Sequence, residues 1–189
     1  MKIFVCSSAG AGVFGWLIRK VTKSKVNHVF ILYESEFWGG WFAIDIAEKG
    51  PIPTPAKKAF KDCSKLYVYE PLFDLREGIV KNKKRINRGY DWIGILGFFF
   101  AYVKSWFTKK EVENKLHSSK RDFCSEYLTY CIKDSSGSMA EMLEPESTSP
   151  KVLDLMWSDK DELYKPLSLN ELLEMGVPIT KELCKSWDE

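Results

Sequence analysis

The sequence predicts an α+β fold, a small antiparallel sheet packed against helices. Three observations carry that reading. His28 to Glu34 (HVFILYE) and Trp41 to Ala47 (WFAIDIA) are rich in β-branched and aromatic residues, which suit a pleated and partly buried surface. Only Ser35 to Gly40 separates them, too short a connection for a crossover helix, so the two strands form an antiparallel hairpin. Gly10 to Lys23 shows apolar residues at helical spacing instead, with Phe14, Leu17, Ile18 and Val21 on one face.

The remaining elements follow in order. Lys2 to Cys6 reads as a short strand ahead of the first helix. Gly50-Pro51-Ile52-Pro53-Thr54-Pro55 reads as a loop, ending at a helix start near Pro55. Lys65 to Pro71 (KLYVYEP) is a further strand, and Arg76 to Arg88 is a basic helical stretch punctuated by Gly89. Tyr90 to Phe107 is apolar and helical. Lys109 to Lys120 is a charged surface loop or exposed helical turn. Asp122 resembles an N-cap for a helix over Phe123 to Lys133. Beyond Ser135 the chain turns often, with a short helix at Leu169 to Met175.

At 189 residues, 45% of them apolar, the chain has enough material for one sizeable core and reads as one domain over 1–189, with 136–189 a less regular C-terminal extension. A net charge of +2 gives no overall field that argues for nucleic acid. The five cysteines are an odd number without CxxC pairs, which argues against a disulfide framework and a zinc ribbon. The N-terminal apolar run breaks at Ser7-Ser8, so no signal peptide is expected. The longest apolar run, Ile93 to Val103, is about half of the roughly 20 residues a membrane span needs. A cytoplasmic protein is the expectation.

Gly10-Ala-Gly12-Val-Phe-Gly15, with Glu34 at the end of the next strand, imitates a dinucleotide-binding fingerprint. The first glycine stands four residues past Cys6, and the second strand leads into a hairpin instead of a helix and a third parallel strand. A doubly wound sheet does not follow from that order.

Two residues suit nucleophilic chemistry. Cys124 falls in the first turn of a predicted helix, where unpaired N–H groups and partial positive charge favour a thiolate. The same amides can hold the oxyanion formed when that thiolate attacks a carbonyl. A small buried core residue is the alternative, and it describes Cys6, Cys63, Cys131 and Cys184. Of the two histidines, His117 sits in a charged surface segment. His28 opens an apolar strand, as either a satisfied edge residue or a general base.

A family resemblance joins them. Gly15, Leu17-Ile18-Arg19, Thr22, Ser24 and Asn27-His28-Val29 resemble the histidine motif of the permuted NlpC/P60 proteins, in the YiiX/YebB-like branch related to the lecithin–retinol acyltransferase type. Gly89-Tyr90-Asp91-Trp92-Ile93-Gly94 and Phe123-Cys124-Ser125-Glu126 resemble that group's later motifs, in the same order and at comparable spacing. The resemblance covers about residues 1–135 and implies a circularly permuted papain-like fold, with the nucleophile at a helix N-terminus on a small antiparallel sheet. It implies Cys124 as nucleophile, His28 as base, and a third polar residue that orients the imidazole. Asp45, flanked by Ile44 and Ile46, is the choice for that role, and Glu48 is the reserve. The family often has glutamate there, so Asp45 is a departure with a shorter reach.

Tyr90 is an oxyanion donor or pocket wall, and Ser125 offers its backbone N–H to the oxyanion. Asp91 and Glu126 make structural hydrogen bonds at helix starts. The expected substrates are amides or esters of peptide, cell-wall peptide or lipid-like acyl compounds, with no metal and no cofactor. Lipid acyl transfer and a catalytically idle, partner-binding role are the alternatives. The aromatic segment 93–106 is core packing or a peripheral membrane contact. Lys81-Asn-Lys-Lys-Arg85 with Arg88 forms a basic cluster.

Overall fold

Ile3-Phe4-Val5-Cys6 and Val29-Phe30-Ile31-Leu32 are unbroken apolar runs because the sheet they build is buried on both faces. In a computed structural model, which describes residues 1–10, 12–47, 49–89, 91, 97, 100, 104, 107, 122–136, 143–159, 162–179 and 183, the chain is α+β with one six-stranded antiparallel sheet. The strands are β1 (Ile3–Gly10), β2 (His28–Ser35), β3 (Gly40–Ala47), β4 (Gly50–Pro55), β5 (Cys63–Pro71) and β6 (Tyr164–Pro166), in the order β4-β3-β2-β1-β5-β6. The helices are α1 (Val13–Thr22), α2 (Ala56–Ala59), α3 (Arg76–Lys81), α4 (Cys124–Ser136), α5 (Pro150–Asp159) and α6 (Leu169–Glu174), with a 3-10 turn at Lys83–Arg85.

One face of the sheet, with Val5, Val29, Ile31, Ile44 and Ile46, packs under Tyr127, Leu128 and Cys131 of α4 and Leu153 and Trp157 of α5. The other, with Phe4, Phe30, Leu32, Trp41 and Val68, packs under Ala56 and Phe60 and under Leu172 of α6. Residues alternate between these two cores along β1, β2, β3 and β5, as a period of two requires.

The β2–β3 hairpin forms as its short turn demands, with Ser35 opposite Gly40. Three expectations change. First, β1 runs on to Gly10, so the first glycine of the dinucleotide-like motif does close a strand. The motif still fails, because β2 lies antiparallel to β1, with Ser8 opposite His28. Second, the expected loop over 50–55 is an edge strand, β4. Pro51, Pro53 and Pro55 occupy alternate positions, so the missing N–H groups all belong to the side that an edge strand leaves unpaired. Third, the described part beyond Ser135 adds a helix and a strand to the expected elements. It supplies α5, which begins at Pro150, a residue suited to the first helical position. It also supplies β6, which pairs beside β5, while the expected helix at Leu169 to Met175 forms as α6 (Leu169–Glu174), with a Ser168–Glu171 capping box.

The registers set Gly10, His28, Ala47, Gly50 and Cys63 together at one end of the sheet. Gly50 has φ +78°, and a Cβ there would fall 1.6 Å from the Arg88 carbonyl oxygen. The chain after α3 is thereby drawn close to that end. Between α3 and α4 the approach is just as tight: a Cβ on Gly78 would lie 1.8 Å from the Cys131 carbonyl oxygen. Gly78→Ala is therefore expected to cost about 1–3 kcal/mol in urea denaturation, since the two helix backbones must separate. A loss below about 0.5 kcal/mol, the range of an uninvolved surface site, contradicts this packing.

Candidate active site

The residue before the candidate base is tied down first. Asn27 accepts hydrogen bonds at Oδ1 from the Gly10 amide (2.8 Å) and from Arg19 (2.6 Å), and Arg19 also donates to the Gly10 carbonyl at 2.7 Å. The Asn27 amide donates to the Ser8 carbonyl. Gly15 leaves room for this knot, since a Cβ there would be 2.8 Å from Asn27 Nδ2. Gly15, Arg19 and Asn27 thus act as a clamp that starts β2 at a fixed point.

His28 follows as the first residue of β2, half-buried. Asp45 reaches it from β3, and its Oδ1 lies 2.8 Å from His28 Nε2. The side chains are 25% and 20% exposed, so the pair stands at the edge of the protein interior, where both faces of the sheet give way to solvent. Asp45 is a carboxylate between two buried isoleucines, and the imidazole is its partner.

Cys124 is the first residue of α4 and lies close enough to His28 to bear on the charge of its ring. With Nε2 engaged by Asp45, Nδ1 is the ring nitrogen left for the thiol. Burial lowers the His28 pKa, but the Asp45 hydrogen bond, and then the Cys124 hydrogen bond and charge, outweigh it and raise the value to about 10. The ring is therefore an imidazolium at neutral pH, a donor at both nitrogens. Burial pushes the Cys131 thiol up to about 12, the Cys63 thiol to about 11, and the Cys6 thiol well above the usual range.

The start of α4 supplies further donors. Its first backbone bond runs from the Tyr127 amide to the Phe123 carbonyl, so the N–H groups of Cys124 and Ser125 precede the helical ladder. The Ser125 hydroxyl is directed elsewhere, to the Thr148 carbonyl at 2.5 Å. Only the Ser125 backbone can serve an oxyanion.

Asp122 was expected to cap this helix. The helix begins at Cys124, and the fully buried Asp122 carboxylate instead holds Arg85 at 2.5 Å, while the Arg85 guanidinium stacks 3.5 Å from the centre of the Tyr130 ring. Asp122 and Gly89 also pair through the backbone, as do Asp91 and Asp122. Arg85, Gly89 and Asp91 therefore brace the segment that leads into the helix carrying the thiol. Glu126 accepts from the Phe123 backbone at the helix start, and burial, with the Asp122 charge, pushes its carboxyl up to about 8. At neutral pH Arg85 and Asp122 thus offset each other beside the helix start, and Glu126 is largely protonated.

The sequence motif brought Arg19 and Asn27 forward without assigning them this clamp, and it passed over Arg85 and Asp154. The charge run 81–88 is mostly exposed, and no pattern distinguishes its one guanidinium that faces inward. Asp154 on α5 is buried, accepts from Ser7 Oγ at 2.5 Å and pairs with Lys25 at 3.5 Å, joining the C-terminal part to the sheet near the site. Tyr90 and Glu48 lie outside the described residues, as do His117, Cys184 and most of segment 93–106.

Compared with known proteins, the chain matches no family model and no curated protein. The geometry of the site therefore carries the functional argument. Among the described residues, no cluster of three or more His, Cys, Asp or Glu could hold a metal ion, and no helix is long and apolar enough to cross a membrane.

Two outcomes follow. The folded-state pKa of His28 is raised from 6.5 to about 10, so its contribution to stability is complete below pH 6.5 and disappears as pH rises through about 10. Asp45→Asn removes the leading interaction that raises it. The stability lost in urea denaturation by Asp45→Asn should be largest near the low end of that window and shrink above it; a loss independent of pH opposes the assignment. Arg85→Gln leaves a buried carboxylate without its cation and should cost about 3–5 kcal/mol. Adding Asp122→Asn removes that orphaned charge and should recover much of the loss in a double-mutant cycle.

Proposed function

We propose that the protein is a cysteine hydrolase acting on amide or ester bonds, with Cys124 as nucleophile, His28 as acid and base, and Asp45 as the residue that orients His28. The observation that carries this reading is a thiol at a helix start beside an imidazole, one nitrogen of which lies 2.8 Å from a carboxylate. This is the nucleophile–base–orienter geometry of triads that recur on unrelated folds. The order of elements supports a circularly permuted papain-like NlpC/P60 architecture: a histidine strand first, then a cysteine helix lying on an antiparallel sheet.

In the proposed reaction the Cys124 thiolate attacks the carbonyl carbon, and the oxyanion is held by the backbone N–H groups of Cys124 and Ser125. His28 donates its Nδ1 proton to the leaving amine or alcohol as the carbon–nitrogen or carbon–oxygen bond breaks, leaving a thioester on Cys124. The neutral ring then takes a proton from a water molecule that attacks the thioester. The acid leaves, and the thiolate–imidazolium pair is restored. Asp45 keeps Nε2 protonated and fixes the ring plane throughout.

Site-resolved alkylation with iodoacetamide at neutral pH tests the reading. Cys124 is expected to react about tenfold or more faster than Cys63 or Cys131, whose thiols are held protonated by burial. His28→Ala should remove most of that advantage. Equal labelling of the three thiols in the folded protein sinks the proposal.

A further inference from the structure

The site stands at the end of the sheet where positive charge collects. The strands' registers bring the α1 segment, the loop before β2 and the start of β5 to that end. From these elements come Lys20, Lys23 and Lys61, all exposed, and Lys65, half-buried and opposite Ala9. Arg88, whose carbonyl adjoins Gly50, lies at the same end. Lys20 is held upright over the exposed Trp16 ring, 5.2 Å from its centre. Arg19 is nearer the chemistry. Among the described residues its hydrogen-bond partners are the Gly10 carbonyl and the Asn27 amide oxygen, both neutral, so its charge is not cancelled.

The anions near this end are mostly committed. Asp45 faces His28, Asp122 faces Arg85, and Asp154 faces Lys25. Asp62 is exposed beside Lys61, and Glu146 lies close enough to Glu126 to raise its pKa. Among the described residues, Arg19, Lys20, Lys23, Lys61, Lys65 and Arg88 still outnumber those two and the buried Asp91. No carboxylate occurs in residues 1–33, the stretch that forms β1, α1 and most of β2. Among the described residues the opposite end has no such excess: Glu34, Glu36, Glu70, Asp74 and Glu171 stand there against Lys2, Arg76, Lys165 and the N-terminal amine. With a net charge of only +2 for the whole chain, the positive field is a local property of the end that holds His28 and Cys124.

We propose that this collar selects substrates carrying negative charge close to the bond that is cut, a carboxylate or phosphate group. The inference deepens the hydrolase reading and rests on it. A fixed positive rim on a low-dielectric end concentrates anions at the thiol and repels cations. Arg19 adds a directional element, because two of its hydrogen bonds leave further N–H donors of its fork for a planar anion.

The test labels Cys124 with an anionic, a neutral and a cationic methanethiosulfonate reagent, each rate divided by that for a free thiol in the same buffer. Preference for Cys124 with the neutral reagent establishes that the thiol is reactive at all, and its absence refutes the hydrolase reading separately. Given that reactivity, the anionic reagent should exceed the cationic one by about tenfold or more at low salt. The ratio should collapse toward one near molar salt, where the screening length falls to about 3 Å. The variant Lys20→Glu, Lys23→Glu, Lys61→Glu should lower the ratio at low salt. The salt series on the unaltered protein gives the same information if that variant does not fold. Co-sedimentation with phosphatidylglycerol against phosphatidylcholine vesicles separates the two sources of the anion. Selective pelleting with the former marks a lipid headgroup, and no pelleting with the charge ratio intact marks a soluble anionic substrate. Equal normalised rates for the anionic and cationic reagents at low salt overturn the proposal.

Discussion

Both faces of the sheet are covered, by α4 and α5 on one side and by α2 and α6 on the other, and this constraint decides where polar groups can stand. A histidine or aspartate in the middle of β2 or β3 would face one of the two apolar cores and would have to be neutral or fully paired. His28 and Asp45 avoid that by lying where the strands end, each still a fifth to a quarter exposed. There they are dry enough for their hydrogen bond to be strong and wet enough for their charges to survive. The Arg19–Asn27–Gly10 knot holds the mouth of β2, and the Arg85–Asp122 pair holds the start of α4.

The two braces differ in kind. The first is a set of hydrogen bonds to neutral oxygens and leaves a cation in place. The second is a buried ion pair, which contributes little net stability but makes the loss of either partner costly. Its significance for the proposed chemistry is charge balance. Asp122 lies two residues before Cys124, and an uncompensated carboxylate there would oppose a thiolate. Arg85 cancels it, and Glu126 adds little negative charge at neutral pH because its carboxyl is pushed up to about 8.

The sequence made some of this legible and hid the rest for identifiable reasons. The β2–β3 hairpin was readable because β-branched and aromatic runs flank a turn too short for anything else. Asp45 was readable because a carboxylate between two isoleucines demands a partner, and Cys124 because a helix start was evident within two residues. The edge strand β4 was hidden by its three prolines, which suggest a loop unless their alternate spacing is matched to an unpaired edge. The far end of β1 was hidden because Ser7, Ser8, Ala9 and Gly10 break the apolar run that declares a strand. Arg85 and Asp154 were invisible for a different reason. Each acts through a partner far along the chain, 37 residues away for Asp122 and 147 for Ser7, and local pattern carries no information at that range.

The central claim is that Cys124, His28 and Asp45 form one electrostatic unit. Its most direct test is an NMR titration of the His28 ring, compared between the unaltered protein and Cys124→Ser. The account predicts a ring that stays protonated through neutral pH and titrates near 10, with a clear fall when the thiol becomes a hydroxyl and its charge is lost. A ring that titrates near the ordinary 6.5 in both proteins would contradict it.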